Sequence, residues 1–243
     1  MKTLLKYGVI LSVLWSLSAV LQAQSTPLPD GPRAKAGTHA ADGIGVAVGP
    51  TRSTEETFNA PWEEDSVDTP LKAGDKMTAH SIVQTMEGED FDLNAAVASQ
   101  PTVLIFYRGG WCPYCNAHLR ELQTSAPALQ AMGYQILAVS TDMPEALKET
   151  ADGNELSYQL FADPMVTVAD SFGLKYKVKQ NYLDHLTNDH DTDLVAQNGG
   201  YLLTPGAYIM NTDGVIEFAY VNMNFAVRIS QDALLKAARE ALN

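Results

Sequence analysis

Six residues, Thr102-Val103-Leu104-Ile105-Phe106-Tyr107, form a nearly unbroken apolar β run that gives way within a few positions to a helix opening at Pro113. A strand without a polar face must be buried on both sides, which requires a sheet covered above and below. Pro113 suits the first helical position, where its missing N–H costs nothing, and Leu119, Leu122, Ala126 and Leu129 give that helix an apolar stripe. The alternation continues downstream. Gln135 to Ser140 reads as a second buried strand, Pro144 to Thr150 as a short helix and Tyr158 to Ala162 as a strand. Val166 to Phe172 reads as a helix stopped by Gly173. Gly206 to Met210 and Val215 to Val221 read as strands around the turn Asn211-Thr212-Asp213-Gly214, and a last helix starts at Gln231. Upstream, Ser81 to Thr85 and Phe91-Asp92-Leu93 flank a turn and read as an N-terminal β-hairpin extension. The expected class is α/β, a central mixed β-sheet flanked by helices.

The only two cysteines, Cys112 and Cys115, lie at the junction of that first strand and helix, in Trp111-Cys112-Pro113-Tyr114-Cys115. Open α/β sheets place their active sites at the carboxyl ends of strands. A helix N-terminus favours a thiolate through its unpaired N–H groups and partial positive charge, and a two-residue spacing brings both sulfurs within disulfide reach. Cys112 is therefore expected to have a lowered pKa, within roughly 3.5 to 7.5. Structural zinc normally needs four ligands, and no second Cys pair exists, although His118 completes Cys112-x-x-Cys115-x-x-His118. Asn116 stands where a haem-attachment motif requires His. No cofactor and no resident metal are expected.

Lys2 and Lys6, the apolar run Gly8 to Leu21 with its three serines, and Gln22-Ala23-Gln24 read as a signal peptide over residues 1–23. Export to the periplasm, cell envelope or exterior is the implied setting, where disulfides persist. A membrane enters only if this segment stays uncleaved. Residues 24–68 are rich in Pro, Gly, Ala, Ser and Thr and read as a flexible linker, with Thr57-Phe58 and Pro61-Trp62 as anchors onto the body, leaving residues 69–243 as the folded domain. The formal charge of −13 argues against nucleic acid as a partner.

Taken in order, Phe106-Tyr107-Arg108-Gly109-Gly110-Trp111-Cys112-Pro113-Tyr114-Cys115, Val139-Ser140-Thr141-Asp142, Phe161-Ala162-Asp163-Pro164, Phe172-Gly173-Leu174 and Thr204-Pro205-Gly206-Ala207-Tyr208-Ile209 are informative. This succession resembles the peroxiredoxin-like branch of the alkyl hydroperoxide reductase/thiol-specific antioxidant family. The resemblance implies a thioredoxin-like fold and makes Cys112 the attacking cysteine. Typical members carry Thr or Ser three residues before that cysteine and Pro four residues earlier still, positions held here by Gly109 and Ile105. They also carry an Arg where Pro205 stands, a place occupied in thioredoxin-like oxidoreductases by a cis-proline facing the Cys pair.

Those departures favour thiol–disulfide exchange. Cys112, at the exposed end of the motif, attacks a protein or small-molecule disulfide, and Cys115 closes the internal disulfide. An unidentified thiol reductant or oxidant completes the cycle. Arg108 either folds over the sulfur or extends into solvent from its strand end, Trp111 and Tyr114 offer an apolar platform, and Pro205 presents backbone to the substrate. The alternative is a thiol-dependent peroxidase in which Cys115 resolves a sulfenic acid on Cys112, with Arg228 or Arg120 replacing the lost Arg. On composition, solvated positions are favoured for both arginines. A third reading is a metal module built on the two cysteines and a histidine. His185 and His190 sit among Asp184, Asp189, Asp191 and Asp193 in a polar insertion, Leu183 to Gly200, which is expected to be a solvated loop.

Overall fold

The computed structural model describes residues 47–48, 61–63 and 68–242. The signal segment 1–23 and the pair Thr57-Phe58 lie outside the described residues. In chain order the strands and helices are β1 (Ala47–Val48), β2 (Ile82–Gln84), β3 (Asp90–Asp92), α1 (Leu93–Ser99), β4 (Thr102–Tyr107), α2 (Pro113–Ala131), β5 (Gln135–Ser140), α3 (Pro144–Gly153) and β6 (Gln159–Ala162). There follow α4 (Thr167–Ser171), β7 (Lys175–Lys177), α5 (Gln180–His190), α6 (Leu194–Asn198), β8 (Tyr201–Leu203), β9 (Gly206–Met210), β10 (Ile216–Val221) and α7 (Gln231–Glu240).

Among the described residues, eight strands form one mixed sheet in the order β1-β10-β9-β4-β5-β6-β2-β3. β4, β5 and β6 run parallel, and β9 lies antiparallel on the other flank of β4. The apolar run is thus central, and every residue of it is buried. Its alternation divides the core in two. Val103, Ile105 and Tyr107 pack with Leu119, Leu122 and Leu234 of α2 and α7, while Leu104 and Phe106 face Leu93, Val97 and Phe172. Successive strand residues point to opposite faces, so one six-residue strand anchors both layers.

The hairpin forms as β2 and β3, but Leu93 begins a helix rather than ending a strand. The Asp92 side chain accepts from the Asn94 and Ala95 amides, an N-cap that stops extended structure there.

Two expectations need correction. The insertion Leu183 to Gly200 is no solvated loop. It carries α5 and α6, and Leu183, Leu186 and Leu194 bury themselves with Tyr176, Val178 and Leu202 in a small core of their own over the β7–β8 ribbon. Its acidic residues face water while this narrow apolar stripe faces inward. The stretch read as linker adds a short strand to the sheet, while its Pro61-Trp62 anchor is found as expected. Ala47–Val48 pairs in parallel with Tyr220 and Val221 of β10. Trp62 bridges Val178, the Glu63 amide donates to Lys177 O at 2.9 Å and the Lys179 amide donates to Pro61 O at 2.8 Å.

Candidate active site

β4 ends at Tyr107, and the chain turns sharply through Arg108, Gly109 and Gly110 before Cys112 caps α2. The turn is held from several sides. The Cys112 amide donates to Gly109 O at 3.1 Å, the Gly110 amide to Asp142 Oδ2 at 2.8 Å and Asn116 Nδ2 to Gly110 O at 2.7 Å. Thr141 Oγ1 donates to Arg108 O at 2.7 Å. Gly109 and Gly110 have no room for a side chain: a Cβ on the first would lie 2.7 Å from Asp142 Oδ1, and one on the second would run into Thr150 Oγ1. The motif therefore needs two glycines for closeness of packing.

Both cysteines are free thiols and both are buried, Cys112 at 1% exposure and Cys115 at 0%. This corrects the expectation of an exposed Cys112. Aromatic rings of Trp111, Tyr182 and Phe225 close over the end of the motif and enclose Arg108, whose guanidinium carbon lies 4.7, 5.3 and 4.2 Å from their centroids. Of the two alternatives open for Arg108, the folded-over one holds. The residue is 1% exposed, with Nη1 3.8 Å from Cys112 Sγ and Nη2 donating to Tyr182 Oη at 2.5 Å.

Arg228 is the second cation at the sulfurs. Its Nη2 lies 3.4 Å from Cys115 Sγ, while Nη1 is held by the carbonyls of Phe225 and Val227. The preference for a solvated Arg228 is overturned because the loop between β10 and α7 folds back over the start of α2. Arg120 points elsewhere and donates to Asn154 Oδ1 at 2.6 Å. The Nε atoms of Arg108 and Arg228 are both buried without a partner.

The charge settles on the inner sulfur. Burial works against the Cys115 thiolate, but the hydrogen bond from Cys112, the Arg228 and Arg108 cations and the Arg108 amide at 3.4 Å outweigh it and hold Cys115 well below the ordinary thiol value. Cys112 is pushed up, first by donating its hydrogen to Cys115, then by burial and by the neighbouring charge. The expected low pKa on Cys112 is thus reversed. Helix N-terminal partial charge is weaker than a guanidinium in contact, and the guanidinium that touches at 3.4 Å touches Cys115.

The remaining expected site residues are distributed around this centre. Pro113 opens α2 as the spacing predicted. Trp111 is half-buried and stacked on Arg108, so it serves the cation rather than forming an open platform, whereas Tyr114 is 36% exposed with its ring 5.8 Å from Phe225. Pro205 is buried just before β9; since Phe106 pairs with Gly206, continuing the register sets Pro205 opposite Tyr107, beside the active turn. His118 lies one turn further along α2, buried and with its pKa pushed down to about 3 by burial and by Arg228. Among the described residues no three His, Cys, Asp or Glu side chains converge as a metal site, and His185 instead pairs with Asp189 at 2.5 Å. Tyr182, Phe225 and Asp142 were given no role by the sequence; Asp142 lies in the Val139–Asp142 motif and Phe225 in the stretch from Tyr220 to Ile229 that also holds Arg228, whereas no motif contains Tyr182.

A model of the AhpC/TSA family matches residues 73–219, more than half of the chain. The chain belongs to the AhpC/TSA family. It is 30% identical over 105 residues to peroxiredoxin Bcp of Escherichia coli, a match spanning 43% of this chain and 66% of that relative, just under two thirds. The fold is similar to that of peroxidoxin BcpB from Mycobacterium tuberculosis, with TM-score 0.51, 20% identity and coverage of 71% and 94% of the two chains. Reduced Prx3 of Vibrio vulnificus, solved with hydrogen peroxide, gives TM-score 0.57 at 17% identity over 69% of this chain and 99% of its own. Members of this set are thioredoxin-fold peroxiredoxins, and the thioredoxin-like architecture expected for the AhpC/TSA chain is the one observed.

Proposed function

We propose that this protein is a thiol-dependent peroxidase of the peroxiredoxin type, in which Cys115 is the attacking thiolate and Cys112 the resolving thiol. This reverses the order in which the sequence alone ranks disulfide exchange and peroxide reduction. Membership of the AhpC/TSA family supports the reading, and so does the burial of both sulfurs. An exchanging disulfide must bring its own sulfur into contact with the attacking one, whereas a hydroperoxide is small. The observation that carries the assignment is Arg228 at 3.4 Å from Cys115 Sγ, a fixed cation beside the sulfur that holds negative charge.

The chemistry then balances without a cofactor. The Cys115 thiolate attacks the distal oxygen of the hydroperoxide, an S–O bond forms as the O–O bond breaks, and the departing oxygen takes a proton to leave as alcohol or water. Cys115 is now a sulfenic acid, oxidised by two electrons. Cys112 sulfur attacks Cys115 sulfur, the disulfide forms and water is released. An external thiol or dithiol reductant then returns two electrons and two protons. The two guanidiniums stabilise negative charge on sulfur before the attack and on oxygen during it.

The test is peroxide consumption by the reduced protein and its two single variants. Cys112→Ser is expected to complete one turnover and leave a dimedone adduct on residue 115, while Cys115→Ser is expected to react no faster than a free thiol. An adduct confined to Cys112 in the Cys115→Ser protein, with rapid peroxide loss, would reverse the assignment. The leader reading of residues 1–23 adds that this chemistry takes place outside the cytosol; recovery of full-length chain from the cytosolic fraction alone would contradict it.

A further inference from the structure

The insertion that separates β7 from β8 brings a side chain to the active site from 74 residues away. We propose that Tyr182 on α5 is a positioning residue for the reaction, fixing the Arg108 guanidinium against the Cys112–Cys115 pair through its phenol oxygen. The inference rests on the dithiol reading above and extends it to a structural element, α5, to which that reading gives no role.

Four observations converge on Tyr182. Its oxygen accepts from Arg108 Nη2 at 2.5 Å, a short charge-assisted bond. The opposite arm of the same guanidinium, Nη1, is the one 3.8 Å from Cys112 Sγ, so the planar fork spans phenol and sulfur. Its ring is also one of three enclosing the Arg108 carbon, at 5.3 Å. Among the described residues no carboxylate pairs with Arg108, and its Nε is buried and unpartnered. An arginine bound to a carboxylate would be partly neutralised; bound to a neutral phenol it keeps its full charge for the sulfurs. Tyr182 in turn is set by α5, whose Leu183 and Leu186 are buried in the small core and whose His185 ring meets the Tyr182 ring edge-on at 5.6 Å.

Tyr182→Phe tests this by keeping the ring and removing the oxygen. Iodoacetamide labelling of the reduced protein is followed against pH, alongside peroxide consumption. The expected result is a labelling midpoint displaced upward, with the rate at pH 7 down about threefold or more and rates converging with the parent's at high pH. Asn188→Ala, on the exposed side of the same helix, should leave both readouts unchanged. In an Arg108→Lys background the Tyr182→Phe change should add little, since two residues acting through one another are not additive. Should the Phe protein not fold, Tyr182→Leu takes its place with the same expected direction. An unchanged midpoint in a folded variant, or an effect of equal size with and without Arg108, overturns the proposal. A displaced midpoint in a protein whose parent does not consume peroxide keeps the role of Tyr182 and removes the peroxidase reading, so the two fail separately.

Discussion

Arg228 Nη2 lies 3.4 Å from Cys115 Sγ, joining residues 113 positions apart in the chain. Replacing Arg228 by Gln keeps hydrogen-bond donors and removes the charge. The thiol-labelling midpoint is expected to rise by about one pH unit or more, the size typical of losing an adjacent opposite charge. Peroxide consumption at pH 7 should fall by about tenfold or more in parallel. Measuring both on one preparation checks the link; a slowed peroxide reaction with an unmoved midpoint would mean that Arg228 acts on the oxidant alone.

Asp142 is buried, and burial is the main reason its pKa is pushed up from 3.8 to about 6, against the pull of the Gly110 amide and the Ser140 hydroxyl. The folded protein holds this proton more tightly than the unfolded chain, so the associated stability is full below pH 4 and is lost as pH rises through 6. That loss is at most about 3 kcal/mol. Urea unfolding of Asp142→Asn between pH 4 and 7 should lack the fall, so the variant gains on the parent as the pH rises. Parallel curves would place the titration elsewhere.

His118 behaves in the opposite sense. Burial and Arg228 lower its pKa from 6.5 to about 3, so the native state keeps it neutral while the unfolded chain takes up a proton. The stability is present above 6.5 and is lost on acidification towards 3, by about 3 kcal/mol at pH 4. His118→Leu is expected to flatten this acid limb in thermal melts taken from pH 7 to 4, and an unaltered limb would show that His118 is protonated in the fold.

A Cβ on Gly110 would run into Thr150 Oγ1. Gly110→Ala is therefore expected to cost about 1 to 3 kcal/mol, as overpacking does, and to disturb the bond from the Gly110 amide to Asp142. Thr150→Ala in the same chain should recover most of the loss. If the double variant is no more stable than Gly110→Ala alone, the clash is not the cause.

The parts of this molecule that were legible in the sequence are those written locally. The two-sided apolar run at β4, the Pro113 helix start and the Cys-x-x-Cys junction each follow from neighbours within a few positions, and the strand and helix form where they were expected. What was missed depends on tertiary contact. The phenol of Tyr182 reaches Arg108 across 74 positions with no local pattern to announce it, and Arg228, one of two arginines named as candidates, reaches Cys115 across 113 positions that the sequence alone does not bridge. The proposed shift of the thiolate from Cys112 to Cys115 has the same origin: the helix N-terminus is visible in sequence, the folded-back arginine is not. In α5 and α6, Leu183, Leu186 and Leu194 are too few among Asp, Asn and His to stand out, yet they suffice because the core they build is small.

The short pairing of Pro61 to Glu63 with Lys177 to Lys179 has a practical consequence for anyone dissecting this chain. Lys179 is the residue from which α5 starts, and its amide is fastened to Pro61 O. A fragment trimmed to begin at residue 69, where the composition changes, would keep every strand and helix named above except β1 and still lose Trp62 from the edge of the β7–β8 ribbon. The helix that presents Tyr182 would then be anchored at one end fewer. Such a trimmed fragment is expected to fold but to carry a slacker arginine, and full reactivity should require a start upstream of Pro61.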